Sequence, residues 1–363
     1  MKLVNRLVFI SALFLLFACS DDNKQIDYDF NLSLHVNAPH EGEERLIAGL
    51  LESKASINLS DYEIFIPELI SVSEDGKIVI FDYGKMKFNL LEAEGDFNTF
   101  THTLLPIRSG RGPGEFLNPV EVLFSTNNEL SIVDPANAKL MYFSLDGDLV
   151  NEISLEVRPH RMAATNDRIV FAYIMGEKLF STLDTKTENV SASFGKIPTS
   201  SPMLKQGDLS ANNNNVVFMP YGSSWFALFT DRGELLYQSN TIEYIEQPKV
   251  VQRELELNPL SRPEGFWFIN SSVQLLDDMI LILHSGSNVG NISNMIDFYN
   301  HANGEYLASL MLDAPANLIR VRGNTLYTRS RNQENDFLVN IYDFSPEKLF
   351  DININSEYKL QKD

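Results

Sequence analysis

The strongest constraint on the fold is a repeat. Six times along the chain, a turn built from Asn, Asp or Gly is followed at once by a tight apolar run. The runs are Lys77-Ile-Val-Ile-Phe-Asp82, Glu129-Leu-Ser-Ile-Val-Asp134, Arg168-Ile-Val-Phe-Ala-Tyr173, Asn215-Val-Val-Phe-Met219, Asp278-Met-Ile-Leu-Ile-Leu283 and Asn324-Thr-Leu-Tyr-Thr328. The turns before them are Asp75-Gly76, Asn127-Asn128, Asn166-Asp167, Asn212 to Asn214, Asp277-Asp278 and Gly323-Asn324. These residues tolerate the positive φ angles that hairpins need. A second set of turns, Glu94-Gly95, Asp146-Gly147, Asp184 to Asn189, Asp231 to Gly233 and Asn303-Gly304, closes an outer hairpin in five of the units. The 24 Phe and 13 Tyr suit strands better than helices.

The repeat recurs every roughly 40 to 65 residues, the period of a four-stranded propeller blade. A β-sandwich holds seven to nine strands rather than the roughly 24 implied here, and an α/β barrel needs long amphipathic helices that the chain lacks. The expected fold is therefore all-β: a six-bladed β-propeller with four-stranded blades over residues 61–107, 117–157, 159–197, 208–246, 266–313 and 314–347. Residues 26–36 alternate well, with Ile26, Tyr28, Phe30, Leu32, Leu34 and Val36 on one face. That N-terminal strand is expected to complete the last blade and close the ring, removing the open edges of the disc. Glu43 to Ser53 is expected to form a short helix. Gln247 to Leu257, bracketed by Pro248, Pro259 and Pro263, reads as a helical inserted loop or lid. The divisions are a signal peptide (1–18), a tether with the closing strand (19–60), the propeller (61–350) and a C-terminal tail (351–363).

Cysteine usage gives the address. Cys19 is the sole cysteine, so the chain has neither an internal disulfide nor a multi-cysteine metal site. Lys2 and Arg6 form a positive n-region, and the apolar run Leu7 to Phe17 is too short to span a bilayer stably. It leads into Leu16-Phe17-Ala18-Cys19, which resembles a bacterial lipobox. Cleavage before Cys19 and acylation there give a multi-chain lipid anchor. Ser20-Asp21-Asp22 resembles the acidic signal that sends some Gram-negative lipoproteins to the outer face of the outer membrane. The expected location is thus the cell envelope, as an outer-membrane lipoprotein. Formal charge is -20, and losing Lys2 and Arg6 with the signal peptide brings it to -22. Such a surface repels nucleic-acid phosphates, so no nucleic-acid partner is expected.

One stretch carries a family resemblance. Gly110-Arg-Gly-Pro-Gly-Glu-Phe116, followed by Pro119 and by Glu129 to Asp134, is similar to the first inter-blade turn of six-bladed propeller lipoproteins with a TolB-like repeat. The wider resemblance is to NHL-type propellers, which mostly bind peptides, proteins or glycans and sometimes act as lyases or lactonases. The resemblance implies a binding propeller. It supplies no catalytic residues.

Read for chemistry, Gly110, Gly112, Pro113, Gly114, Glu115 and Phe116 form a structural hinge from blade one to blade two. The stretch lacks the Lys-Ser/Thr of a phosphate loop, and no helix pattern follows it. Phe116 is expected to pack between the two blades. Arg158-Pro159-His160-Arg161 stands at the next junction, an unusual basic cluster in so acidic a chain. Arg108, Arg111, Arg158, His160, Arg161, Arg320 and Arg322 all fall at blade junctions, where they can converge on a channel mouth and bind a carboxylate or sulfated ligand. Trp225, Phe266, Trp267 and Phe268 read as core strand residues. The six histidines show no metal-ligand spacing, and no Gly-x-Ser-x-Gly elbow occurs. The expected function is a non-enzymatic binding module for a peptide, glycan or partner protein, without cofactor, metal or catalytic residues. The alternative is a metal-dependent, lactonase-like hydrolase or lyase with its active site in the channel.

Overall fold

A computed structural model describes residues 30–33, 44–95, 97, 99–125, 128–191, 193–199, 201–245, 268–285 and 293–345. The lipobox, the 247–257 insertion, Phe266, Trp267 and the C-terminal tail lie outside these residues.

Each repeat unit folds as an antiparallel sheet. Blade 1 comprises strands Pro67–Val72, Ile78–Asp82, Lys87–Ala93 and Phe100–Leu104, in that spatial order. Blade 2 comprises Glu121–Phe124, Leu130–Asp134, Lys139–Phe143 and Leu149–Ser154. Blade 3 has three regular strands, Arg161–Ala164, Arg168–Ala172 and Phe180–Asp184. Its outer edge is finished by the bridges Leu183↔Val190 and Phe180↔Phe194. Blade 4 is again four-stranded: Gly207–Asn212, Asn215–Pro220, Trp225–Thr230 and Leu235–Asn240.

Blades 5 and 6 share one long strand, Tyr306–Arg322. Its first half pairs with Ser293–Asn300, beyond Met279–His284 and Asn270–Leu275, and so ends blade 5. Its second half pairs with Thr325–Arg331 and starts blade 6, which continues with Phe337–Asp343. The innermost strands of successive blades contact one another around a complete circuit, blade 6 returning to blade 1. That circuit defines a central channel.

The apolar runs seen in the sequence are the second strands. Ile78–Asp82 and Leu130–Asp134 are buried at all five positions, because neighbouring blades cover both faces. Of the aromatics expected in core strands, Trp225 is a core residue of blade 4, shielded with Phe218 and Phe229, whereas Phe268 is half-buried and lies just before the strand Asn270–Leu275, its ring edge-on to Tyr221.

An N-terminal strand does close the ring, but it is Ser53–Asn58, paired antiparallel with Phe337–Asp343 as the outer strand of blade 6. Residues 26–36 were the expected closing strand, and the described part of that segment does something else. Asn31 bridges to Lys196, and the Phe30 ring packs on Phe180, Phe194 and Phe229 of blades 3 and 4. The short helix expected over Glu43 to Ser53 is also corrected. Ile47–Leu51 is a strand laid parallel to the first half of Tyr306–Arg322, on the outer edge of blade 5. Arg45 secures it there, with Nε and Nη2 donating to Asp297 at 3.1 and 3.0 Å.

Two buried carboxylates fix the loops that enter blades 1 and 2. Asp82 Oδ1 accepts the backbone N–H groups of Ile66 and Gly84, each at 3.0 Å, and Oδ2 that of Phe65 at 3.3 Å. Asp134 repeats the arrangement with Leu117 (2.7 Å), Asn118 (3.1 Å) and Ala136 (3.0 Å). A carboxylate ending the second strand thus supplies acceptors to a loop that has no ladder of its own.

Candidate ligand-binding channel

All six inner strands run toward the same mouth, so the turns that follow them meet there. These are the Asn/Asp/Gly turns that mark the repeat in the sequence. Together with the ends of the inner strands, and with Tyr142, Asn151, Ile153 and Glu188 from the outer parts of blades 2 and 3, they border an open cavity of about 1110 Å³. Its lining is rich in hydrogen-bonding groups, among them Asn166, Asn212, Asn213, Asp277, Asp278, Glu188 and Asn324. Several of these are already positioned by one another. Asp277 Oδ1 accepts from the Asn212 and Asn213 amides at 2.6 and 3.0 Å, and the Asn151 amide donates to Glu188 at 2.6 Å. Arg322 enters from blade 6, with Nε 3.6 Å from Glu74. Among the described residues, no three His, Cys, Asp or Glu side chains group as a metal site.

Deeper in the channel, charged side chains from four blades form a layer. Glu121 begins the inner strand of blade 2, and Arg161 that of blade 3. Asp208 lies on the inner strand of blade 4 and Arg320 on that of blade 6. The Glu121 carboxylate stands 3.8 Å from both Arg161 Nε and Arg320 Nη2. Arg161 also donates to the Tyr221 hydroxyl, at 3.3 Å through Nε and 3.0 Å through Nη2. Asp208 Oδ2 accepts from Ser272 Oγ at 3.1 Å and from Val273 N at 3.0 Å. Arg329 reaches in from the second strand of blade 6.

Burial holds the Glu121 carboxyl up at about 7, against the opposing pull of Arg161 and Arg320 and with Asp208 adding to the rise. A carboxyl raised above its unfolded value near 4.5 keeps its proton longer in the folded state than in the unfolded chain. Its ionisation therefore removes stability as pH climbs from about 4.5 to about 7, by up to about 3 kcal/mol. Replacing Glu121 by Gln is expected to flatten that part of the stability–pH curve. Urea midpoints of both proteins at pH 5, 6, 7 and 8 test this, and curves that stay parallel across the range rule it out.

The residues singled out in the sequence divide into two groups. Arg161 and Arg320 meet at Glu121. His160 is beside them but half-buried; burial, with Arg161 adding, pushes its imidazole down to about 3, so it is neutral. Arg108, Arg111 and Arg158 are exposed on the inter-blade loops. Glu121, Asp208, Tyr221 and Arg329 escaped the sequence reading. For Glu121 there was a signal: a lone charge inside the apolar run Val120 to Phe124.

The glycine turn is filled by the protein itself. Gly112 N–H donates to the Glu115 carboxylate at 2.8 Å, and Gly114 N–H to Glu152 at 2.8 Å. Asn137 Nδ2 and Lys139 Nζ donate to the Gly110 and Gly112 carbonyls, both at 2.9 Å. The Glu115 carboxylate folds back so closely that a Cβ on Gly110 would lie 2.1 Å from Oε2. Amides that already hold two carboxylates offer no cradle to an external anion. Phe116 is fully buried, 5.5 Å from Phe81 and 5.2 Å from Phe88 in edge-on contacts. Its cluster also includes Val122, Ile132 and Phe143 of blade 2.

Comparison with known proteins agrees with this architecture. A member of the duf4221 family from Bacteroides vulgatus shares the fold, with 10% identity over 81% of this chain and 97% of that one and a TM-score of 0.53. A catalytically inactive virginiamycin B lyase from Staphylococcus aureus, solved with quinupristin, aligns at 14% identity over 81% and 89% of the two chains, TM-score 0.48. BamB from Moraxella catarrhalis aligns at 12% identity over 81% and 98%, TM-score 0.42. At 10% identity the first likeness is one of fold. The sequence has no significant match among curated proteins. The profile of the DUF5128 family, described as "6-bladed beta-propeller", matches residues 60–242, just over half of the chain. With the ring of blades, the shared channel and that match in place, the chain belongs to this six-bladed β-propeller family.

Proposed function

We propose that this is a lipid-anchored envelope protein whose propeller is a binding module, taking a peptide, a glycan or a segment of a partner protein at the mouth of the central channel. The observation that carries the reading is the cavity of about 1110 Å³. It is at the upper end of the size of small-molecule sites, and most of its amides and carboxylates come from the hairpin turns that follow the inner strands. A lining of this kind selects by hydrogen bonding. The anchor rests on Leu16 to Cys19 in the sequence.

The test uses the mature protein beginning after Cys19, applied to peptide and glycan arrays, with metal analysis of the same sample. Capture of a defined set of peptides or glycans is expected. Replacing Asn213 by Ala is expected to weaken that capture about tenfold, the order of one or two lost hydrogen bonds, and to lower stability by about 1 kcal/mol, because Asn213 holds φ at 51° and donates to Asp277. A stoichiometric metal would instead favour the hydrolase or lyase alternative and sink this reading.

A further inference from the structure

We propose that the layer formed by Arg161, Arg320, Arg329 and Glu121 is an anion site that receives a single carboxylate of the ligand. The inference rests on the binding-module reading and names the chemistry by which the channel holds its ligand.

The first support is how the arginines are held. Arg320 donates through Nε to the Ile70 carbonyl at 3.3 Å, and through Nη1 to the Ile319 carbonyl at 2.9 Å and Ser272 Oγ at 3.3 Å. Arg329 donates through Nε to Asn317 Oδ1 at 2.8 Å, and through Nη1 to the Glu68 carbonyl at 2.8 Å and to that of Pro67. Arg161 donates through Nη1 to the carbonyls of Val120 and His160 at 3.2 and 3.1 Å. These acceptors are uncharged, so they aim the guanidinium groups without neutralising them. Nη2 of Arg320 and of Arg329 makes no hydrogen bond to the described residues. Rigid, pre-aimed forks with an unused edge are the arrangement by which arginine recognises a carboxylate.

The second support is the charge count. With Glu121 ionised, three arginines face two buried carboxylates, Glu121 and Asp208, while the other carboxylate that opposes Arg329, Glu68, is exposed and screened by water; one positive charge is left buried in the layer. Asp208 is engaged by Ser272 and Val273. Glu121, at 3.8 Å from its two cations, is beyond direct hydrogen-bonding reach of either. An uncompensated buried charge is costly, and burial, with Arg320 and Arg161 adding, pulls the Arg329 guanidinium down to about 10 against the opposing pull of Glu68 and Tyr221. A monoanion restores neutrality. A phosphate dianion would overshoot beside two carboxylates, which decides for a carboxylate. Solvent reaches the layer, since the Arg161 side chain keeps 22% of its surface exposed and that of Arg320 12%.

The test is titration calorimetry on the mature protein at pH 6 and pH 8. The probes are acetate, an N-acetylated dipeptide with a free C-terminus, the same dipeptide as its C-terminal amide, galacturonate, galactose and inorganic phosphate. The carboxylate-bearing probes are expected to bind at least tenfold more tightly than the amide and galactose, and phosphate to bind more weakly than acetate at pH 8. The stronger of dipeptide and galacturonate identifies the source as peptide or acidic sugar. Arg320→Met is expected to cost tenfold or more. Should that variant fail to fold, Glu121→Gln serves in its place, because removing a competing carboxylate is expected to tighten the carboxylate probes several-fold at pH 8 and to leave galactose unmoved. In the wild type, lowering the pH to 6 acts in the same direction, through protonation of Glu121 against Arg161, Arg320 and Asp208. Equal binding of the free and amidated dipeptides overturns the proposal. Array capture that persists while no carboxylate probe binds overturns this site yet leaves the binding-module reading standing, whereas loss of array capture overturns that reading itself.

Discussion

Replacing Phe116 by Ala is expected to destabilise the propeller by about 3–5 kcal/mol, the usual cost of emptying a buried aromatic site. At this chain length that is a fall in melting temperature of roughly 5–8 °C. The ring sits between Phe81 and Phe88 of blade 1 and touches the core of blade 2, so two blades lose contacts from one deletion. Collapse cannot refill the hole, because the turn is pinned on either side by Asn137 and Lys139. Phe116→Leu keeps much of the volume and is expected to cost less than half as much. Denaturant melts of the two variants decide the matter. A loss below about 1 kcal/mol for the alanine would mean that the inter-blade core does not depend on this ring.

Asp134→Ala is expected to cost a similar amount, about 3–5 kcal/mol, for a different reason. Three backbone N–H groups lose a charged acceptor at once, each such bond being worth about 1.5–3 kcal/mol before water partly replaces it. Asp134→Asn separates charge from shape. The amide oxygen retains some of the bonds, while its NH₂ group opposes one backbone donor, so an intermediate loss is expected. Asp82 stands in the same relation to the loop entering blade 1, and the two sites share no partner. The double variant should therefore show the sum of the single effects. Clear non-additivity in the urea midpoints would show that the two entry loops are coupled.

Much of this fold was legible because its signals are local. Hairpin turns demand Asn, Asp or Gly, and doubly covered strands demand unbroken apolar runs such as Ile78–Asp82. The closing strand was not legible. Residues 26–36 alternate more clearly than Ser53–Asn58, whose sequence Ser-Lys-Ala-Ser-Ile-Asn buries little beyond Ile57. An outer blade strand needs one modestly apolar face, and the stronger pattern of Phe30 and Leu32 is used to cap the core of blades 3 and 4. Nothing in local spacing separates those two uses. In the channel, Arg161 and Arg320 could be placed from the repeat register. Arg329 could not, since it lies on a second strand and acts on the carbonyls of Pro67 and Glu68 some 260 residues away in sequence.

The ring closure has a consequence for how the protein is made. Ser56 bonds to Asn340, a partner 284 residues downstream. At a synthesis rate of about 5–20 residues per second, the strand Ser53–Asn58 waits roughly 15–60 s before its seat exists. During that interval the early blades can form on their own hairpins, but both rims of the growing arc stay open. Sealing is thus a late, single event that registers whether the whole chain has arrived. A chain that stops short of residue 337 has no place to put its own beginning.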